Sequence, residues 1–313
     1  MIYKRRSNYV FFICLFALTS PLTAQTQTSQ TQEAPGLTTL TVTVRNKTGN
    51  FIMGVSPDRF QLWDEKDERP IQFFENADTP MSIGILVDTS ESVQAYEVKQ
   101  LGRQEAIAEA IGRLLELSNP QNEYFLAGFD RTARTITDWT NDKTVLSNVS
   151  KLRSANKQTA FFDACLDAVG KFQTAHYSKR ALIVFTDGQD NSSHRTFKNL
   201  REGLKHSDVV LHAIGVGPWT EMESLGMESR GILLELSELT GGVPLFPPDL
   251  KKLQASVEFL AIELRNQYQI GFKPAAGVPG KWRRIQVVIK PVPNPLEEFN
   301  NLTVRARTGY YSR

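Results

Sequence analysis

The sequence predicts an α/β fold, a mostly parallel sheet with helices on both faces, inserted between two β-rich flanks. Two observations carry this. From about Met81 to Arg265, short apolar runs alternate with stretches of helical periodicity. That is the pattern of strands buried on both faces and joined by crossover helices. Outside that span, residues 37–80 and 266–313 alternate apolar with polar at a period of two. That is the pattern of strands with one face on a core.

The first element is a targeting segment. Lys4, Arg5 and Arg6 precede an apolar run, Tyr9–Leu18, and Leu22-Thr23-Ala24 offers a cleavage site. The run is too short to span a bilayer comfortably, so residues 1–24 read as a signal peptide cut near Ala24. Secretion or a periplasmic location follows, with no membrane span after cleavage. Removing those three cations takes the formal charge from +2 to −1, which argues against a nucleic-acid partner. Residues 25–36, QTQTSQTQEAPG, have nothing to bury and read as a disordered linker.

In the first flank, 37–80, Leu40–Val44 reads as a strand and Asn46–Asn50 as a turn. Phe60–Trp63 and Ile71–Phe74 read as the arms of a hairpin whose solvated loop is Asp64–Pro70. That acidic loop lacks the central Gly and terminal Glu of an EF-hand.

In the central segment, 81–265, strands are expected at Ser82–Val87, Tyr124–Phe129, Thr135–Thr137, Ala181–Thr186, Val209–Val216 and Val243–Phe246. Helices are expected at Val93–Leu117, Lys143–Leu152, Phe161–Phe172, Arg195–His206, Ile232–Leu239 and Leu250–Leu264, the last capped by Asp249. Cys165 reads as a buried thiol. With Cys14 lost in the signal it has no internal disulfide partner, so stability must come from the core. A hydrophobic content of 41% allows that.

In the last flank, 266–313, Tyr268–Phe272, Arg284–Lys290 and Leu302–Arg307 read as strands. Neither flank is large enough to bury a core comfortably alone. The economical arrangement pairs both into one β-sandwich module. The alternative is two separate small sheets packed on the α/β domain.

The chemistry gathers at strand ends. SIGILV ends in Asp88-Thr89-Ser90-Glu91-Ser92, and KRALIVF ends in Thr186-Asp187-Gly188. Thr159 stands just before a helix between them. Carboxylates and hydroxyls are hard oxygens, suited to Mg²⁺, Mn²⁺ or Ca²⁺ rather than zinc or copper. Open α/β sheets bind ligands at this edge. Asp and Ser at a strand end also cap helices, but Thr159 and Asp187 in register favour ligation. Asp190-Asn191-Ser192-Ser193 reads as loop and helix cap, and Asp130 as a residue lining the same edge.

Asp-x-Ser-x-Ser, then Thr, then Asp, in this order, resembles a von Willebrand factor type A domain with a metal-ion-dependent adhesion site. The resemblance covers roughly Met81 to Arg265. Asp58-Arg59-Phe60, Leu264-Arg265-Asn266-Gln267-Tyr268 and Arg305–Tyr311 further resemble bacterial secreted von Willebrand factor A-related proteins, common in acidobacteria. It implies a Rossmann-like domain holding Mg²⁺, or Mn²⁺ or Ca²⁺. Ser90, Ser92 and Thr159 would be hydroxyl ligands, and Asp88 and Asp187 the charged ones. An open position on the cation would accept an Asp or Glu from a partner protein. Glu91 would face solvent.

Enzyme readings fare worse. A strand ending in an acid resembles the start of haloacid dehalogenase phosphatases, but their general acid two residues on is here Ser90. No Gly-x-Ser-x-Gly elbow is present. Of the histidines only His194 falls in a loop at the site edge, and Gly215-Val216-Gly217 lacks the rest of a dinucleotide fingerprint. The leading expectation is an exported, non-enzymatic, metal-dependent binding module. Its alternatives are a structural subunit of an envelope assembly, with the metal only stabilising the fold, and an enzyme of unrecognised type.

Overall fold

The computed structural model describes residues 36–90, 100–143, 149, 152, 158–216, 224–276, 278–291 and 301–312. The signal peptide, nearly all of the linker, Glu91, Ser92, the start of the helix expected from Val93 and most of the one expected at Lys143–Leu152 lie outside them.

The central sheet has six strands. In chain order they are β5 (Ser82–Asp88), β6 (Glu123–Phe129), β7 (Ala133–Thr140), β8 (Arg180–Thr186), β9 (Val210–Gly215) and β10 (Pro244–Leu245). Their spatial order is β10-β9-β8-β5-β6-β7, parallel except for β7, which runs antiparallel to β6. Every residue of β5 is buried, because helices cover both faces. Ile83, Ile85 and Val87 join a core with α1 (Gln100–Leu117) and α5 (Leu250–Arg265). Leu86 points the other way, into a core with α2 (Phe161–Lys171), α3 (Phe197–Lys205) and α4 (Ser224–Thr240).

Most expected elements stand close to their places, with three differences. β7 extends to eight residues as a largely exposed edge strand, so its alternation was weak. The helix expected at Ile232–Leu239 begins earlier, at Ser224, because Ser224–Gly231 contains glycines and polar residues that hide helical periodicity. Cys165 is buried as expected, but where helical spacing places the buried stripe on Phe162, Cys165 or Leu166, and Val169, α2 buries Phe161, Ala164, Cys165 and Ala168.

The flanks form two four-stranded sheets. One has the order β13-β1-β11-β4, built from Thr303–Arg305, Thr38–Arg45, Tyr268–Phe272 and Ile71–Glu75. The other has the order β14-β12-β2-β3, built from Gly309–Tyr311, Trp282–Ile289, Phe60–Asp64 and Asp67–Arg69. Each sheet mixes strands from both ends of the chain. Leu40, Val42, Leu62, Tyr268, Ile270, Phe272 and Val287 share one core between them. The two flanks therefore make one sandwich, not two separate sheets.

The expected hairpin is corrected. Phe60–Asp64 turns at Glu65-Lys66, with Glu65 at φ 58°, and pairs with the polar segment Asp67–Arg69. Pro70 follows, and Ile71–Glu75 crosses to the other sheet to pair with β11. Asp64 is likewise not a solvated turn residue. It is fully buried, accepting Arg283 Nε at 2.7 Å and the Tyr310 hydroxyl at 3.1 Å. The described residues fall within one compact unit, and among them no helix is long and apolar enough to cross a membrane.

Candidate metal centre

The strand order sets the place of the site. From β5 the chain passes through α1 to β6 on one side, and α2 later leads to β8 on the other. The connections diverge between the carboxyl ends of β5 and β8, which opens a crevice there. Asp88 is the last residue of β5, and Asp187 directly follows β8.

Asp88 is almost fully buried. Its Oδ1 accepts the Ser90 amide at 3.0 Å, and its Oδ2 accepts the Thr186 hydroxyl at 2.7 Å. Burial first, and then the negative charge of Asp187, push the Asp88 carboxyl up to about 7, while hydrogen bonds from Ser90 and Thr186 pull it down. Asp187 is also buried, and its Oδ1 accepts the Gln189 amide at 2.9 Å. Gly188 makes this turn possible. Its φ is +78°, and a Cβ there would stand 2.9 Å from the Ser229 carbonyl oxygen.

Thr159 and Ser90 are fully buried at the same edge. The Thr159 hydroxyl has no hydrogen-bond partner among the described residues. Its backbone is held from two sides. Asn191 Oδ1 accepts the Thr159 amide at 2.8 Å, and the next amide, Ala160, donates to the Asp130 carbonyl at 2.8 Å. Ser92 lies outside the described residues.

Two neighbours read from the sequence take structural parts. The Asp190 and Ser193 side chains accept the Phe162 and Asp163 amides, at 2.9 and 3.1 Å, so this loop caps α2. The Asp130 carboxylate is engaged by Arg134 at 2.9 Å. His194 is 96% exposed, with Nδ1 3.2 Å from Asp163 Oδ2. Thr186 escaped the sequence reading. Its hydroxyl links Asp88 Oδ2 to the Gly188 amide, and the Thr-Asp-Gly run at a strand end was the signal for it.

The donor set fits a hard divalent cation. Among the described residues no three His, Cys, Asp or Glu side chains gather to hold a metal. A cation here would combine the two carboxylates with hydroxyls, a set that suits Mg²⁺ or Mn²⁺. Its charge would relieve the repulsion between Asp88 and Asp187, and the unpartnered Thr159 hydroxyl offers a further oxygen.

Residues 82–231 match the family model of the von Willebrand factor type A domain. This segment is a von Willebrand factor type A domain. Among solved structures, the chain is similar to a von Willebrand factor type A protein from Catenulispora acidiphila. The TM-score is 0.50 at 14% identity, over 80% of this chain and 74% of that one. It is also similar to the PilB minor pilin from Streptococcus sanguinis, with TM-score 0.48 and 14% identity over 64% of this chain and 63% of the pilin. A third is the vWF domain of the type V pili tip protein Mfa5 from Porphyromonas gingivalis, with TM-score 0.48 and 11% identity over 60% of this chain and 95% of that one. At such identities the likeness is one of fold. No curated protein matches. The matched segment supplies β5 to β9 and α1 to α3 of the α/β layers, α4 runs past its end, and β10 and α5 follow it.

Proposed function

We propose that this protein is an exported protein-binding module that captures an acidic side chain through a divalent cation. The ligands are Asp88, Ser90, Ser92, Thr159 and Asp187, and the cation is Mg²⁺ or Mn²⁺, with Ca²⁺ also compatible. The observation that carries this reading is the pairing of buried Asp88 and Asp187 at the switch point, beside a buried and unpartnered Thr159 hydroxyl. Two carboxylates only neutralise a divalent ion. Hydroxyl ligands leave it electrophilic, so it can accept a carboxylate from outside. Binding rather than catalysis fits the side chains around the edge. His194, on the loop that follows Asp187, is turned to solvent against Asp163.

Calorimetric titration of Mn²⁺ into the full chain tests the cation. Wild type should take up one ion, and Asp88→Ala should lose most of the affinity. Equal affinities would overturn the ligand assignment. Titrating the loaded protein with a Glu-bearing peptide and its Gln counterpart tests the capture. Equal binding of both peptides would leave a cation that only stabilises the fold.

A further inference from the structure

Thr159 has no regular structure of its own to hold it. Residues 158–160 lie outside any helix or strand, directly before α2. The loop after Asp187 holds it instead. Asn191 Oδ1 accepts the Thr159 amide at 2.8 Å. The Thr159 carbonyl accepts the amides of Asn191 and Ser192, at 3.0 and 3.1 Å. Hydrogen bonds on both peptide groups flanking one Cα fix its backbone angles, and with them the direction of its side chain.

Two other side chains of this loop grip the helix instead. Asp190 and Ser193 cap α2 through the Phe162 and Asp163 amides. Asp163 in turn accepts the amides of His194 and Arg195, at 2.9 and 3.0 Å. These contacts fasten the loop to the helix. Asn191 fastens Thr159 to the loop that begins with Asp187.

We propose that Asn191 is a positioning residue for the divalent cation, setting the Thr159 hydroxyl in register with Asp187. The inference rests on the cation reading above. A ligand already held in place needs no ordering when the ion arrives. Releasing the Thr159 amide leaves only the bonds to its carbonyl and to the Ala160 amide, so the hydroxyl is held less closely in that position. Groups that orient metal ligands are typically worth about 10–100-fold in metal affinity.

The test is Mn²⁺ titration of the full chain. Asn191→Ala should weaken uptake about tenfold. Ser193→Ala, which removes a helix cap from the same loop, should leave uptake within about twofold. In a Thr159→Ala background, Asn191→Ala should add less than about twofold, because it acts through Thr159. Asn191→Asp, which keeps an acceptor for the Thr159 amide, should retain uptake. If Asn191→Ala does not stay folded, Asn191→Ser, with a shorter reach, carries the same expectation. Equal losses in Asn191→Ala and Ser193→Ala would mean general loosening and overturn the proposal. So would a full Asn191→Ala effect in the Thr159→Ala background. Wild type that binds Mn²⁺, with Asn191→Ala unchanged, overturns the positioning alone. Wild type that takes up no Mn²⁺ overturns the cation reading, and the positioning falls with it.

Discussion

Gly84 shows how one residue shapes the centre of this molecule. It sits in the middle of β5, where a Cβ would stand 2.4 Å from the Phe125 ring and 3.1 Å from Leu182 Cδ1. The ring cannot retreat. It is fully buried, edge-on to Trp139 at 4.8 Å and packed against Phe172 at 5.7 Å. Gly84→Ala should therefore destabilise the protein by about 1–3 kcal/mol, the usual range for overpacking a filled core. Urea denaturation measures it, and a loss under about 0.5 kcal/mol would show that the aromatic cluster yields. A glycine inside an apolar run signals such close approach in the sequence itself. Asp88, Thr159 and Asp187 were legible for a similar reason: oxygen-bearing residues stood where apolar runs stopped or a helix began. For Thr186 the Thr-Asp-Gly run marks the strand end but not the partner, Asp88, 98 positions away, and Asn191 acts on a residue 32 positions away, which no local pattern encodes. Asp64 was misread on the same account. Its partners Arg283 and Tyr310 lie 219 and 246 positions further on.

Among the elements, buried parallel strands were the easiest to read and edge strands the hardest. β5, β6, β8 and β9 are continuous apolar runs, while β3 is Asp-Glu-Arg, with no apolar residue to mark it as a strand. β9 carries a polar exception. His212 is fully buried, and its Nδ1 accepts the Val243 amide at 3.1 Å, tying β9 to the chain entering β10. Nε2 has no partner among the described residues. Burial first, and then the positive charge of Arg305, push the imidazole down to about 3 from an ordinary 6.5. In the unfolded chain His212 takes a proton near pH 6.5, and in the folded protein only near 3. The unfolded state thus binds more protons in that window, and stability falls as pH drops through it. Above the window the contribution is fully present. His212→Asn keeps an acceptor for Val243 and cannot titrate. Denaturation at a series of pH values from neutrality to about 4 should show a flatter profile for the variant. Parallel profiles would mean that His212 is accessible to protons in the folded state.

At the scale of the whole molecule, the question is what joins the sandwich to the α/β layers. Only Asn266 and Gln267 separate α5 from β11, so the last helix of one part runs directly into the sheet of the other. Glu263, near the end of that helix, is fully buried and pairs with Arg305 on β13. Arg305 Nε also donates to the Gly241 carbonyl at 3.2 Å, reaching the chain after α4. One side chain from the sandwich thus touches two elements of the α/β domain. Burial raises the Glu263 carboxyl, opposed first by Arg305 and more weakly by Arg45 and Thr43 of β1. The group is costly to bury and is tolerated because cations of the sandwich face it. Removing one member of such a pair leaves an uncompensated charge, at about 3–5 kcal/mol. Arg305→Met should fall toward the lower end, since Arg45 still faces the carboxylate. Replacing both members, with Glu263→Leu and Arg305→Met, removes the desolvation cost together with the attraction. The double variant should recover most of the stability lost by the single one, and it can exceed wild type. Equilibrium unfolding of wild type, both single variants and the double variant measures this as a coupling energy. A coupling near zero would mean that the continuous α5–β11 chain and the apolar contacts hold the two parts together. A double variant as unstable as Arg305→Met would mean that the site needs polar groups for its shape.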